Sequence, residues 1–96
     1  MNNADRQRRE QLQGAEQVYP ALFHFRIIAE AQARSADALR AVVGRFRVFA
    51  PLALSRASSG AGRFESYSVS IEMGSRAEMA AFESEVRRVP GVRMVL

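Results

Sequence analysis

From Ser66 to Met73 the side chains alternate without a break, with Tyr67, Val69, Ile71 and Met73 on odd positions and Ser66, Ser68, Ser70 and Glu72 on even ones. A period of two marks an extended chain, because successive side chains of a strand point to opposite faces. One face of this strand is apolar and the other carries serines and an acid. Such a strand fits an antiparallel sheet with one buried and one wet face. The whole run Phe64–Met73 is the clearest strand in the sequence, and the rest of the chain must cover its apolar side.

Two segments can provide that cover. In the first, Ser35 is a good N-cap and Asp37 suits the positive end of the helix dipole. Leu39, Val42, Val43 and Phe46 follow at helical spacing and form one stripe. This helix is expected to end near Phe46–Val48, before Pro51. In the second, Ser75-Arg76-Ala77-Glu78 has the form of a capping box. Met79, Phe82, Val86 and Val89 make its stripe, and Pro90-Gly91 stops it. Both stripes read as core.

Three further strands complete the pattern. In Leu22–Glu30, Phe23, Phe25 and Ile27 alternate with His24, Arg26 and Ile28. Leu52–Ala57 is a weaker strand, and Pro51 before it favours a sheet edge, where a missing N–H is tolerated. Ser58-Ser59-Gly60-Ala61-Gly62 reads as a hairpin loop. Val92–Leu96 closes the series, with Val92, Met94 and Leu96 expected on one side and Arg93 and Val95 on the other.

The order is β-α-β-β-α-β. Right-handed crossovers put both helices on the same side of the sheet. The fold class is therefore α+β, a ferredoxin-like sandwich. Its four-stranded antiparallel sheet has the expected order 4-1-3-2, and the two best strand patterns take the two central places. The uncovered face should present His24, Arg26, Ser66, Ser68, Ser70, Glu72 and Arg93.

The chain has 96 residues, enough for one domain. At that size about 60–65% of the unfolded surface is buried, which allows one small core and no deep cavity. Residues 1–17 are polar, with Leu12 the only large apolar side chain, and are expected to form a flexible N-terminal tail. Residues 18–96 form the single domain and hold the whole net charge, eleven Arg against seven acids.

From Tyr19 to Leu96 the chain resembles the YbeD-like family of small bacterial proteins, grouped as a domain of unknown function (DUF493). The resemblance is carried by Tyr19-Pro20 leading into the first strand, by Ser58-Ser59 with Gly62, by Ser68-Val69-Ser70-Ile71, and most specifically by the ending Val92-Arg93-Met94-Val95-Leu96. It implies a fold similar to ACT-like regulatory domains, which bind small effectors and often pair through their sheets. In ACT domains a glycine in the loop after the first strand lets an amino-acid ligand approach the backbone. Here that loop, Ala31-Gln32-Ala33-Arg34-Ser35, has none.

Several chemistries are excluded by residue type. The chain has no Cys, so disulfides, thiolate catalysis and cysteine-ligated zinc are ruled out. It has no Lys, hence no Walker A lysine and no Schiff base. His24 is the only histidine, so a histidine-rich metal site cannot form. A serine nucleophile would need His24 as base and an acid to orient it, and no such constellation is found. Gly60-Ala61-Gly62 leads into a strand rather than a helix, unlike a dinucleotide loop. No cofactor is expected. No apolar stretch is long enough to span a bilayer, and the polar N-terminus lacks a secretory signal, so the expected compartment is the cytoplasm.

A net charge of +4 gives mild attraction to anions, short of a clustered nucleic-acid footprint. RNA-recognition modules share this element order and stack bases on the open face. Phe64 and Tyr67 are three residues apart and point to opposite faces. An RNA-binding reading would rest on Arg26, Arg93 and Phe64; it is the alternative, not the preferred one. Arg34 and Ser35, at the start of the first helix, could hold a carboxylate or phosphate. The open face is too polar for a large obligate interface, but the edge strands two and four can pair with another chain, which includes a homodimer through sheet face or edge. The expected function is a non-enzymatic binding or regulatory module for a protein partner or a small effector. Its expected surface is His24, Arg26, Arg34 and Ser35 with Ser66, Ser68, Ser70 and Arg93.

Overall fold

The alternation of Phe64–Met73 is realised as a strand with those same bounds. In the computed structural model, which describes residues 18–59 and 62–96 and no side chains at 56–59, the elements run β1 (Ala21–Glu30), α1 (Ala36–Val43), β2 (Arg47–Ser59), β3 (Phe64–Met73), α2 (Arg76–Arg88) and β4 (Val92–Val95), with a single 3-10 turn at Ala31–Ala33. The expectations for residues 1–17 and for Gly60-Ala61 lie outside the described residues. The sheet order is β2-β3-β1-β4, the expected 4-1-3-2 read from the other edge, and every neighbouring pair is antiparallel.

The register explains the buried face. Phe23 lies opposite Ile71, Phe25 opposite Val69 and Ile27 opposite Tyr67, so the odd residues of both central strands share one side. Leu39, Val42 and Val43 from α1 and Phe82 and Val86 from α2 close over them in a single core. The largest fully enclosed side chains are Phe82, Ile27, Leu39, Ile71, Met73 and Val86. Aromatic rings run through this core, with Phe82 4.7 Å from Phe25 and edge-on to Phe46 at 5.1 Å.

Three boundaries differ from the expectation. First, α1 stops at Val43. Gly44 is a weak helix former, and the next bonds tighten to three-residue spacing, Arg45 N–H to the Val42 carbonyl and Phe46 N–H to the Val43 carbonyl. Phe46 therefore reaches the core from the turn after the helix. Second, β2 begins at Arg47 and runs through Pro51 for 13 residues. The proline is accommodated because β2 is an edge strand whose register with β3 shifts just before it, between Val48 and Ala50, and across it, between Ala50 and Ala53. Third, β4 carries an irregularity. Ile28 lies opposite Met94 but Ala29 lies opposite Val92, so Arg93 is the extra residue of a bulge. The bulge reverses the expected sides: Val92 and Val95 pack against the core, while Met94 and Leu96 are 48% and 61% exposed.

The start of α2 follows the sequence closely. The Ser75 hydroxyl accepts the Glu78 backbone N–H at 3.1 Å. The return contact is displaced by one residue, since Glu78 Oε1 accepts from Gly74 N–H at 2.7 Å. On the core side, Tyr67 is 3% exposed and its hydroxyl donates to Glu65 Oε2 at 2.5 Å. Burial foremost, then the Glu65 hydrogen bond, pushes its pKa from 10.0 up to about 12. The folded protein thus holds this proton more tightly than the unfolded chain does. The associated stability is intact below about pH 10 and is lost as pH rises towards 12. Urea melts at stepped pH should show wild-type stability falling by up to about 2–3 kcal/mol across that window, and Tyr67→Phe should flatten the fall.

Candidate functional site

The pairing of β1 with β3 sets His24 opposite Ser70, Arg26 opposite Ser68 and Ile28 opposite Ser66. All six have even numbers, and strand periodicity puts them on the face away from the helices. His24 Nδ1 and Ser70 Oγ are 2.5 Å apart, the direction of donation following the imidazole tautomer. His24, Arg26 and Ser68 are exposed, whereas Ser70, though on the same face, is 8% exposed. Ser66 is half-buried, and the Ser55 hydroxyl from β2 reaches both its carbonyl oxygen at 2.9 Å and its hydroxyl at 3.2 Å. His24, Arg26 and Ser68 line a shallow depression of about 350 Å³ together with Phe25 and Leu96.

The polar face is bounded by ion pairs and apolar groups. On one side Arg47 donates to Glu72 Oε1 at 2.9 Å, a contact that raises the Arg47 pKa above its ordinary value. At another corner Arg93 meets Glu30 Oε2 at 2.7 Å. Met94 pairs with Ile28, and Leu96 exchanges both backbone hydrogen bonds with Arg26 at 3.0 and 2.8 Å. Their side chains therefore share the open face and give it an apolar border. Alternation alone assigns Met94 and Leu96 to the side of Val92; the bulge at Arg93 changes this, and no residue in the segment announces it.

The expected surface residues do not all meet. His24, Arg26, Ser66, Ser68 and Ser70 form one group across the two central strands. Arg93 stands apart, at the Glu30 end. Arg34 is exposed and closes the turn after β1 in a left-handed conformation, φ 50°. Ser35 is 3% exposed, and its hydroxyl donates to the Pro90 carbonyl at 2.7 Å. It makes no side-chain cap on α1, contrary to the N-cap expectation. Its backbone is already helical, and its hydroxyl is drawn to the turn before β4. The contact ties the two turns at the same end of the sheet.

The chemistry of this face is limited. A hydrogen-bonded serine and histidine make half of a nucleophilic arrangement, which also needs a group to orient the imidazole. Among the described residues, Ser70 is the only side-chain partner of His24. No group of three or more His, Asp or Glu suited to a metal occurs among the described residues. No described helix is long and apolar enough to cross a membrane. The face offers a hydrogen-bonded histidine and serine, a guanidinium, hydroxyls and an apolar border, which are the elements of recognition.

A family described as "Protein of unknown function (DUF493)" matches residues 15–96. Two solved structures are similar in fold. The ACT domain of GTP pyrophosphokinase from Chlorobium tepidum has 17% identity and a TM-score of 0.63, over 78% of this chain and 94% of that one. Protein HP0495 from H. pylori, solved in solution, has 19% identity and a TM-score of 0.63, over 85% of this chain and 90% of that one. No curated protein matches. At these identities the two structures establish an ACT-like fold.

Proposed function

The chain belongs to the DUF493 family, and we propose that it is a non-enzymatic binding or regulatory module that recognises a protein partner or a small effector on its open sheet face. The observation that carries this reading is the uncovered face itself. Both helices pack on the odd side of the central strands, and His24, Arg26 and Ser68 remain exposed on the even side beside the apolar border of Met94 and Leu96. Mixed polar and apolar surface of this kind suits a reversible contact rather than an obligate one. The ACT-like fold supports the same class by analogy alone.

The RNA alternative has less support. Tyr67 lies in the core, and Arg63 lies over the Phe64 ring, 5.6 Å from its centre. Neither of these two rings therefore stands free on the face for a base to stack on.

Amide shift mapping of the labelled chain tests the reading. The chain is titrated with a panel of small metabolites, with the protein fraction of a bacterial lysate, and with single-stranded RNA at two salt concentrations. The expected result is saturable perturbation at His24, Arg26, Ser68 and Ser70 with a metabolite or protein, lost in Arg26→Glu and kept in Arg87→Glu. Perturbation confined to the outer surfaces of α1 and α2 would contradict it. Saturable, strongly salt-dependent shifts with RNA alone would establish the alternative.

A further inference from the structure

Where β1 ends, the start of β3, the bulge of β4 and the 3-10 turn converge on a recess of about 240 Å³ lined by Glu30, Gln32, Gly62, Arg63, Phe64 and Arg93. We propose that this recess is an oxyanion site, in which a small organic phosphate or carboxylate is gripped between the guanidinium groups of Arg63 and Arg93. The inference stands independently of the face reading.

The backbone under both arginines is pinned. Ala31 N–H donates to the Arg63 carbonyl at 2.8 Å, and Glu30 N–H donates to the Gly91 carbonyl at 2.8 Å, two residues before Arg93. The β4 bulge makes Arg93 the residue without a ladder partner, and bulges are a common means of re-aiming a side chain beside a site. Its guanidinium then meets Glu30 Oε2 at 2.7 Å, with the two side chains 62% and 40% exposed. Arg63 rests over the Phe64 ring and has no carboxylate partner among the described residues. The described lining residues include two arginines and one carboxylate, that of Glu30, so one positive charge among them is uncompensated.

This arrangement selects an anion with paired oxygens. Guanidinium presents parallel N–H groups that match carboxylate and phosphate oxygens. Among the described residues Glu30 is the only acid lining the recess, too few for a cation site. In the unliganded protein the Glu30 carboxylate occupies part of the Arg93 donor set and acts as an internal competitor. An incoming oxyanion takes over those donors and adds those of Arg63.

The full chain is titrated with inorganic phosphate and, separately, with acetate, at constant ionic strength, following amide and arginine side-chain N–H shifts. The expected result is saturable change at Gln32, Arg63, Phe64 and Arg93 with at least one anion; the tighter of the two assigns the ligand class. Arg63→Gln and Arg93→Gln should each weaken binding at least about tenfold. Glu30→Gln should tighten it several-fold, a sign that damage to the fold would not give. Arg87→Gln, on the outer end of α2, should leave it unchanged. Linear shifts spread over all the arginines, or equal losses in Arg87→Gln and Arg63→Gln, or weaker binding in Glu30→Gln, would overturn the proposal.

Discussion

Phe82→Ala is expected to lower stability by about 3–5 kcal/mol, a large share of the total for a domain of this size. Phe82 is fully enclosed and is the point at which three parts of the fold meet. From α2 it touches Phe25 on β1, with centroids 4.7 Å apart, and Phe46 in the turn after α1, at 5.1 Å. Truncation loses the burial of the ring and leaves a cavity that the sheet, held by its own hydrogen bonds, cannot collapse to fill. Urea denaturation should show the midpoint falling with little change in slope. A loss below about 1 kcal/mol would mean that Phe82 is not enclosed as described.

Gly91→Ala is the second large effect, about 2–4 kcal/mol, and its cause is local geometry rather than lost burial. Gly91 has φ +92°, and a methyl group there would lie 2.2 Å from Ala33 Cβ and 3.0 Å from Ser35 Oγ. The turn before β4 must press this closely on the turn after β1 because Ser35 reaches the Pro90 carbonyl across the gap. Gly74→Ala is the comparison, since its methyl would meet only Glu78 Oε1 at an ordinary 3.7 Å. Thermal melts of the two variants should differ by more than about 8 °C, taking the usual slope for a small domain. Equal melting temperatures would remove the tight junction from the account.

Much of this architecture is legible in the residues. The odd-even contrast of β3 and the stripes Leu39/Val42/Val43 and Phe82/Val86 carry strong periodic signals, and burial follows them except at Ser70, an even residue that is only 8% exposed. Signals from single residues proved weaker. Pro51 suggests a strand starting after it, yet an edge position and register shifts before and across the proline let β2 run through it. Ser35 has the chemistry of a cap, but a carbonyl in a turn 55 residues away competes for its hydroxyl, and no local pattern reports that. The β4 bulge is likewise a tertiary matter: it lets Val92 and Val95 both face the core, and it carries Arg93 towards Glu30. The candidate surface divided for the same reason. Cross-strand pairs on β1 and β3 follow from alternation once register is known, whereas the Arg63–Arg93 recess depends on a bulge and a turn that periodicity cannot express.

The central claim, that one side of the sheet is covered and the other open, is tested most directly by thiol accessibility. The chain contains no cysteine, so single variants report cleanly. Ser68→Cys, on the open face, should react with a thiol reagent under native conditions at close to the rate of a free cysteine. Val69→Cys, one residue on and 2% exposed in the native protein as valine, should react at least about 100-fold more slowly, through opening of the fold alone. The reverse order, a fast Cys at 69 and a protected one at 68, would contradict the account.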